Sequence, residues 1–266
     1  MRRDETFDLL KRSVPKALYP SALVSASVRK ASQLHVLGGP FRGMNYVVRS
    51  TWGAYVPKLL GTYELELHPF IERVLTERPT AVIDIGAAEG YYAVGLLMRL
   101  PHARLTAFEQ QAEARSHLER LAETNGVRDR LDIRNSCDPT NLGESLRASG
   151  AQLIVCDVEG YEIELLDPER VPDLRGVDIL VEVHDGRVPE CGERIAHRFS
   201  ATHEVNRIPQ RRRSMQDFPL SRSPWRLLPQ VILKYGLSEF RAPTTSWLWL
   251  ESKELAARRR SAPASV

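Results

Sequence analysis

The segment from Val82 to Gly90 constrains the fold of this chain most strongly, because a β-branched strand runs directly into a turn of small residues. Asp84 lies at the end of that strand, and a helical pattern begins near Tyr91. Glycine permits close approaches of the backbone, and the first N–H groups of a helix lack partners within it. Gly86 and Gly90 therefore predict a turn that receives a nucleotide-like ligand at a helix N-terminus.

The spacing of the small residues narrows the kind of ligand. A dinucleotide fingerprint requires G-x-G-x-x-G, but Ala88 and Tyr91 occupy its second and third glycine positions. The observed D-x-G-x-x-x-G pattern resembles instead the first motif of class I methyltransferases that depend on S-adenosylmethionine (SAM). This resemblance implies that SAM is the cofactor and that its site includes four residues of the turn: Asp84, Gly86, Ala88 and Gly90.

Apolar runs typical of strands alternate with helical patterns from residue 80 onward, which predicts a parallel sheet covered by helices. Strands are expected near 81–85, 104–109, 131–134, 152–157 and 178–183. Helices are expected near 90–100, 111–125, 141–149, 161–166 and 190–199. Two later β-rich runs, 203–208 and 244–250, would form the antiparallel hairpin in which class I methyltransferase sheets end. We therefore expect a Rossmann-like α/β fold with a mostly parallel seven-stranded sheet, an antiparallel C-terminal hairpin and helices on both faces.

The length and composition limit the number of domains. The 266 residues, 42% of them hydrophobic, suffice for one catalytic domain with an appendage. We expect an N-terminal extension over residues 1–60, with a helix and a short β-hairpin that turns at Gly38 and Gly39. The methyltransferase domain would span residues 61–254 and contain a cap-like insertion, punctuated by prolines, at residues 209–243. Residues 255–266 are expected to be a disordered tail.

Charge, cysteine content and hydropathy argue against several classes of protein. A net charge of +3 and a pI near 8.8 are weak support for a nucleic-acid partner. The three cysteines lack C-x-x-C spacing, which argues against a disulfide framework and a zinc site. No stretch approaches the roughly 18 apolar residues of a membrane span. We expect a cytoplasmic protein without membrane association.

Polar residues near other strand ends complete the predicted cofactor site. Glu109 lies 19 positions after the glycine turn, where an acid can accept hydrogen bonds from ribose hydroxyls, although it could instead cap the following helix. Ser136, within the stretch 135–138, is expected near the adenine, although turn formation explains this stretch equally well. The helix that starts at Leu65 would bring Glu64 to the mouth of the site.

The stretch from Ile154 to Glu162 is the second informative segment, because a strand ends in Asp157 and leads through Glu159 and a glycine turn into a helix. Reacting groups converge at such carboxyl ends of parallel strands. The D-V-E-G-Y-E sequence at 157–162 resembles the hallmark of the FkbM family of SAM-dependent methyltransferases. The match extends over roughly residues 60–210 and includes Gly61 to Glu64, Asp84 to Gly90, Phe108-Glu109 and Val181 to His184.

Most members of that family methylate oxygen atoms of small molecules, sugars or secondary metabolites, and the resemblance implies the same for this chain. Attack by an acceptor oxygen on the sulfonium methyl requires alignment of the two and removal of one proton. The candidate catalytic residues are Asp157, Glu159 and His184, and the histidine is best matched to neutral pH. His184 could instead satisfy a backbone carbonyl, and Glu162 either faces the same site or caps its helix. Asp157 is also a candidate cofactor residue.

A divalent metal is an alternative use of this region. Carboxylate and imidazole side chains could collect around one ion: Asp157, Glu159, Glu182, His184 and Asp185. Because acids are common at strand ends without any metal, we expect none.

Two arginine runs leave alternative functions open. Arg211 to Arg213 and Arg258 to Arg260 are expected to be solvated, but the first could recognise an acidic acceptor or an RNA backbone. The alternatives are thus an RNA or protein methyltransferase, and a SAM-binding regulator without catalysis. We expect a small-molecule acceptor; a nucleic-acid partner is disfavoured, and a homodimer is left open.

Overall fold

The computed structural model describes residues 20–46, 54–217, 236–239, 241 and 245–261. These residues form two compact units. The larger unit comprises the described residues of 64–211 and 241–261, and the smaller unit comprises those of 20–46, 54–63 and 212–239. Of the described residues of the predicted insertion, 212–217 and 236–239 therefore belong with the N-terminal residues, whereas Arg241 belongs to the larger unit.

A seven-stranded sheet of order β3-β2-β1-β4-β5-β7-β6 forms the centre of the larger unit. Strands β1 to β5 pair in parallel, and β7 pairs antiparallel with both β5 and β6. This confirms the predicted fold class. The strands are Ala81–Ile85 (β1), Arg104–Phe108 (β2), Leu131–Arg134 (β3), Leu153–Cys156 (β4), Asp178–His184 (β5), His203–Ile208 (β6) and Thr245–Ser252 (β7).

The central strands are apolar because helices cover both of their faces. Every residue of β1, β4 and β5 is buried, which is the pattern of strands inside a parallel sheet. Ile85 of β1 lies beside Phe108 of β2 and Cys156 of β4. The carboxyl ends of these three strands therefore meet at one edge of the sheet, here called the carboxyl edge.

Helices connect the strands close to the predicted positions. They are Pro20–Ser32 (α1), Tyr55–Leu60 (α2), His68–Glu77 (α3), Tyr91–Arg99 (α4), Ala112–Thr124 (α5), Pro139–Ser149 (α6), Glu162–Leu165 (α7), Cys191–Phe199 (α8) and Lys253–Ser261 (α9). Helix α6 shows why its sequence begins a helix at this point. The Asp138 side chain accepts the N–H groups of Thr140 and Asn141, and the Asn141 side chain accepts the N–H of Asp138. This reciprocal capping satisfies donors that the helix itself cannot.

The C-terminal segment differs from the expectation of a disordered tail from residue 255 onward. Helix α9 extends to Ser261, while residues 262–266 lie outside the described residues. The Ser252 hydroxyl accepts the N–H of Leu255, which is itself buried. Arg259 forms ion pairs with Glu77 and Asp178 at 2.7 and 2.8 Å. A capping serine and these contacts stabilise a helix whose arginine-rich composition alone indicates disorder.

The smaller unit contains α1 and α2, which contact each other. The predicted N-terminal hairpin is represented by a turn with a single bridge between His35 and Asn45, and residues 47–49 of its return strand lie outside the described residues. Residues 218–235 of the predicted cap-like insertion also lie outside them. Arg213 is buried against Glu239, with Nε and Oε1 3.0 Å apart, so this arginine of the predicted run is not solvated.

The thiols of Cys137, Cys156 and Cys191 are free. Within the described residues, every helix is too short or too polar to cross a bilayer.

Candidate active site

The glycine turn between β1 and α4 lies at the carboxyl edge, and its glycines allow close packing of neighbouring segments. Gly86 has φ +83°, and a Cβ there would lie 1.8 Å from the carbonyl oxygen of Asp157. Gly90 has φ +97°, and its Cβ would lie 2.3 Å from Cδ1 of Leu118. Glycine is thus required for packing of the turn against the end of β4, and of α4 against α5.

Glu109 holds the glycine turn in its conformation. One carboxylate oxygen accepts the N–H of Ala88 at 2.9 Å, and the other accepts the N–H of Gln111 at 2.7 Å. Ala88 has φ +49°, a left-handed conformation that costs a non-glycine residue about 1 kcal/mol. The hydrogen bond to Glu109 offsets this strain. Glu109 thus bonds to the residue that precedes helix α5, and it also borders the cavity at the carboxyl edge. The structure is therefore compatible with helix capping and with ribose binding.

Asp84 is buried at the end of β1, with 3% of its surface exposed. It accepts a hydrogen bond from the N–H of Ala93 in the first turn of α4. Its Oδ2 has no hydrogen-bond partner among the described residues. Burial, together with the nearby charge of Glu109, raises the pKa of Asp84 to about 7. This carboxyl is therefore poised to respond to a positive charge.

A cavity of about 470 Å³ opens at the carboxyl edge between the ends of β1, β2 and β4. Its volume lies in the range of sites for small ligands. Of the predicted cofactor residues it is lined by Gly86, Ala88, Glu109, Ser136 and Asp157. Asp84, Gly90 and Glu64 are not among the lining residues.

The loop after β3 supplies one wall of this cavity. Asp138 is committed to capping α6, and the Asn135 amide oxygen accepts a hydrogen bond from Arg115 at 3.1 Å. Burial raises the pKa of the Cys137 thiol to about 12, so it stays protonated and poorly nucleophilic. No hydrogen bond of the described structure engages the Ser136 hydroxyl, while its carbonyl accepts the Asn141 amide.

His184, the last residue of β5, is oriented by Glu162 on α7. The side chain is 5% exposed, and its Nδ1 lies 2.7 Å from Oε1 of Glu162. Glu162 is fully buried and also accepts the N–H groups of Val158 and Gly160 at 3.3 and 3.2 Å. Of the two readings of Glu162, the structure therefore places it at the site rather than on the surface. The partner of His184 is a carboxylate and not the backbone carbonyl considered as its alternative.

The three predicted catalytic residues lie together. His184 Nε2 is 3.7 Å from Oδ1 of Asp157 and 3.5 Å from Oε2 of Glu159. Asp157 and Glu159 line the cavity, whereas His184 lies behind them and is not a lining residue. Burial and the carboxylates of Glu182 and Glu64 raise the pKa of Asp157. Burial lowers the pKa of His184, but the hydrogen bond to Glu162 and the charges of Glu162, Glu182 and Glu159 together raise it, so the net shift is upward.

Arg241 is a site residue that the sequence does not reveal. It forms ion pairs with Glu182 and, at 3.0 and 3.4 Å, with Glu66 and Glu64. Glu64 also contacts the hydroxyl of Tyr92 and is almost fully buried, so it does not lie at an open mouth as expected. No local pattern around residue 241 indicates these partners, because all of them are distant in sequence.

One group of side chains in the described part of the chain has the geometry to hold a metal ion. Asp157, Glu182 and His184 each place one ligand atom within 4.8 Å of the others. Glu182 already contacts the Arg241 guanidinium through its other oxygen. A cation is thus present in the cluster without a metal.

The sheet order and the position of the cavity together decide the fold. The order of the five parallel strands reverses between β1 and β4, and the sheet ends in an antiparallel pair. The cavity lies at this switch point, where open α/β sheets bind ligands. The chain has the class I methyltransferase fold. The fold by itself does not define the acceptor.

No protein-family model matches the chain. A stretch of 109 residues is 32% identical to the release factor glutamine methyltransferase of Geobacter sulfurreducens, covering 40% of this chain and 36% of that relative. The chain therefore matches only about a third of the length of this relative. Membership of the FkbM family stays a prediction.

Three solved structures are similar to the chain over most of its length, and two of them are described as methyltransferases. The METTL16 methyltransferase domain has a TM-score of 0.47 at 14% identity and covers 88% of this chain and 79% of its own. An O-methyltransferase of Bacillus cereus in complex with SAH has a TM-score of 0.41 at 14% identity, with 76% and 91% covered. The cofactor-bound Rv0187 from MTB has a TM-score of 0.46 at 13% identity, with 76% and 88% covered. The sheet order of this chain, and not these distant similarities, establishes the fold.

Proposed function

We propose that this protein is a SAM-dependent methyltransferase that methylates a hydroxyl oxygen of a small molecule, such as a sugar or a secondary metabolite. One observation carries the proposal. A single cavity brings the glycine turn and Glu109 together with Asp157 and Glu159, the residues predicted for the cofactor and for proton removal. The partial identity with a release factor glutamine methyltransferase supports methyl transfer as the reaction class.

The chemistry of the cavity fits SAM, which carries an ammonium and a sulfonium charge. Oδ2 of Asp84 and Oδ1 of Asp157 are among the buried carboxylate oxygens that have no hydrogen-bond partner in the described residues. Such unpaired buried acceptors are rare. Asp157 lines the cavity and Asp84 does not, so a cationic ligand there would be attracted by Asp157 directly and by Asp84 at longer range. Glu109 uses one lone pair on each oxygen for a backbone N–H, and a carboxylate retains further acceptor capacity for ribose hydroxyls.

The residues of the site would align the acceptor and remove its proton. When bound in the cavity, SAM would supply an electrophilic methyl group for transfer to the acceptor oxygen, with S-adenosylhomocysteine as the leaving group. Asp157 and Glu159 face the cavity and would accept the hydroxyl proton. His184 lies behind both carboxylates and would share that proton before it passes to water. The raised pKa of Asp157 strengthens it as a base.

A protein acceptor is the second candidate, because the one partial relative acts on release factors according to its name. An amino-methylation motif of the D/N-P-P-Y/F type does not follow β4, where the sequence is Asp157-Val158-Glu159-Gly160. The residues around the proposed base thus favour oxygen. An RNA acceptor loses support because Arg213 is paired with Glu239.

Calorimetry with S-adenosylhomocysteine tests the cofactor half of the proposal. We expect binding to the wild type and a loss of affinity of about 10- to 100-fold in Glu109→Gln, because one charged acceptor is removed. Glu113→Gln, at an exposed position of α5, is the matched control and should bind like the wild type. Absence of binding at millimolar ligand would sink the proposal.

Transfer of a radiolabelled methyl group tests the acceptor half. SAM with a labelled methyl would be offered with three panels: hydroxylated small molecules and sugars, release-factor peptides, and RNA. Label on a small-molecule oxygen supports the proposal, and label on peptide or RNA replaces it with the corresponding alternative. Binding of the cofactor without transfer to any panel would favour a SAM-binding regulator.

A further inference from the structure

We propose that Glu162 is a positioning residue: it fixes the ring of His184 so that Nε2 faces the two carboxylates that line the cavity. The role for the proton rests on the proposed function, whereas the orientation of the ring stands on the geometry of the described residues. Neither the sequence motif nor the relatives assign this task to Glu162.

The contacts of Glu162 define which nitrogen of His184 carries a proton. Oε1 of Glu162 accepts two backbone N–H groups, from Val158 and Gly160, in addition to its 2.7 Å contact with Nδ1. An oxygen that accepts from two N–H donors is an acceptor toward the ring as well, so Nδ1 is the protonated nitrogen. The two backbone bonds also hold the carboxylate in place at the start of α7. The ring therefore has a fixed tautomer and a fixed direction.

The Nε2 atom then points into a cluster of negative charge. Its nearest oxygens belong to Glu159, Asp157 and Glu182, at 3.5, 3.7 and 3.9 Å. A lone pair at Nε2 is repelled by these oxygens, whereas a proton there is attracted by all of them. The cluster thus favours the state in which His184 has taken up a proton. This is the state that follows removal of the acceptor proton.

Arginine side chains on neighbouring segments partly neutralise the carboxylates around Nε2. Arg187 pairs with Glu159 at 2.7 Å, and Arg241 pairs with Glu182. The thiol of Cys191 on α8 contacts the backbone of His184 and is neutral, since burial raises its pKa to about 11. Of the carboxylates around the ring, Glu162 is the one that touches Nδ1, so its removal changes the direction of the ring as well as the charge.

Nitrogen-15 NMR of histidine-labelled protein tests the proposal without an acceptor. The signals of His184 would be assigned with His184→Gln and followed from pH 5 to 9. In the wild type we expect the neutral ring at high pH to carry its proton on Nδ1. In Glu162→Gln we expect both neutral tautomers to appear, because Nδ1 loses its charged acceptor. Glu164→Gln, on the exposed side of the same helix, should change neither.

The outcomes separate this proposal from the proposed function. An unchanged tautomer in folded Glu162→Gln would overturn it. Glu162→Asp keeps the charge with a shorter reach and should retain part of the preference for a proton on Nδ1, which covers the case in which the glutamine variant does not fold. Signals of His184 that ignore pH but move when Mg²⁺ or Zn²⁺ is added would also overturn it, in favour of a metal site. If S-adenosylhomocysteine does not bind but the tautomers are as expected, the proposed function fails and the positioning role stands.

Discussion

Buried acidic side chains lie at both the amino and the carboxyl edges of the sheet, but their hydrogen bonding differs between the two edges. At the amino edge, where β5 begins, Asp178 is 1% exposed and both of its oxygens are bonded: one accepts the N–H of Ser252 and the other the Arg259 guanidinium, each at 2.8 Å. At the carboxyl edge, Asp84 and Asp157 each keep one buried oxygen without a partner in the described structure. Burial raises the pKa of Asp178 too, but its bonds to Ser252 and Arg259 oppose the increase.

This difference separates a structural acid from a functional one. A buried carboxylate that is fully hydrogen-bonded joins parts of the chain, here β5, the end of β7 and α9. A buried carboxylate with an unused oxygen destabilises the protein until another group satisfies it. The unpaired carboxylate oxygens, with their cost in stability, lie at the edge that carries the cavity, as expected for a site that binds a cation.

The largest expected effect compares a glycine at each edge. Gly86→Ala should lower the free energy of unfolding by about 4 kcal/mol, because its Cβ would overlap the backbone of Asp157 and φ is +83°. Gly150→Ala, at the C-terminus of α6, has φ +62° and open space, so it should cost only about 1 kcal/mol. Urea unfolding followed by circular dichroism measures both. Equal losses would show that the close approach at Gly86 is not a real constraint.

The next effect compares the acids themselves. Asp178→Ala should cost about 3 kcal/mol, because it leaves the buried N–H of Ser252 without its acceptor and removes one of the two carboxylates that pair with Arg259. Asp84→Asn should instead keep or increase the stability at pH 8, since it removes a buried charge. The same urea experiment measures both variants. A large loss in Asp84→Asn would contradict the assignment of the carboxyl edge as the strained one.

The smallest effect, counted per pH unit, is the pH dependence caused by Asp84. Its pKa in the folded protein, about 7, lies above the ordinary value of 3.8, so its contribution to stability is complete below about pH 4 and is lost as the pH rises through 7. The free energy of unfolding should therefore fall with rising pH across this window by up to about 1.4 kcal/mol per pH unit from this group.

Comparison with a variant isolates this contribution from other titrating groups. Asp84→Asn should remove that part of the slope, and Asp132→Asn, at an exposed position of β3, should leave it unchanged. Urea unfolding at pH 5, 6, 7 and 8 gives the slopes. Parallel curves for the wild type and Asp84→Asn would show that the carboxyl ionises normally.

The sequence predicts the sheet and much of the site because strand ends are local features. Asp84, Glu109 and Asp157 each follow an apolar run, and parallel strands place such ends side by side. The roles of Gly86 and Gly90 are not local, since each glycine faces a residue from a distant segment. The same holds for Arg241, and for helix α9, whose stability depends on Asp178 and Glu77. The spacing of apolar residues predicts which face of a helix or strand is buried, but it does not predict which distant residues pack against that face.

The contact between Gly86 and Asp157 has a consequence for protein engineering. Asp157 donates its N–H to the carbonyl of Ile85 at 2.9 Å, and the glycine leaves no space for a side chain between the two turns. Residues 81–90 and 153–162 thus behave as one module, although more than 60 positions separate them. A chimaera that imports either segment from a relative should inherit the geometry of both or of neither, so the two segments are best exchanged as a pair.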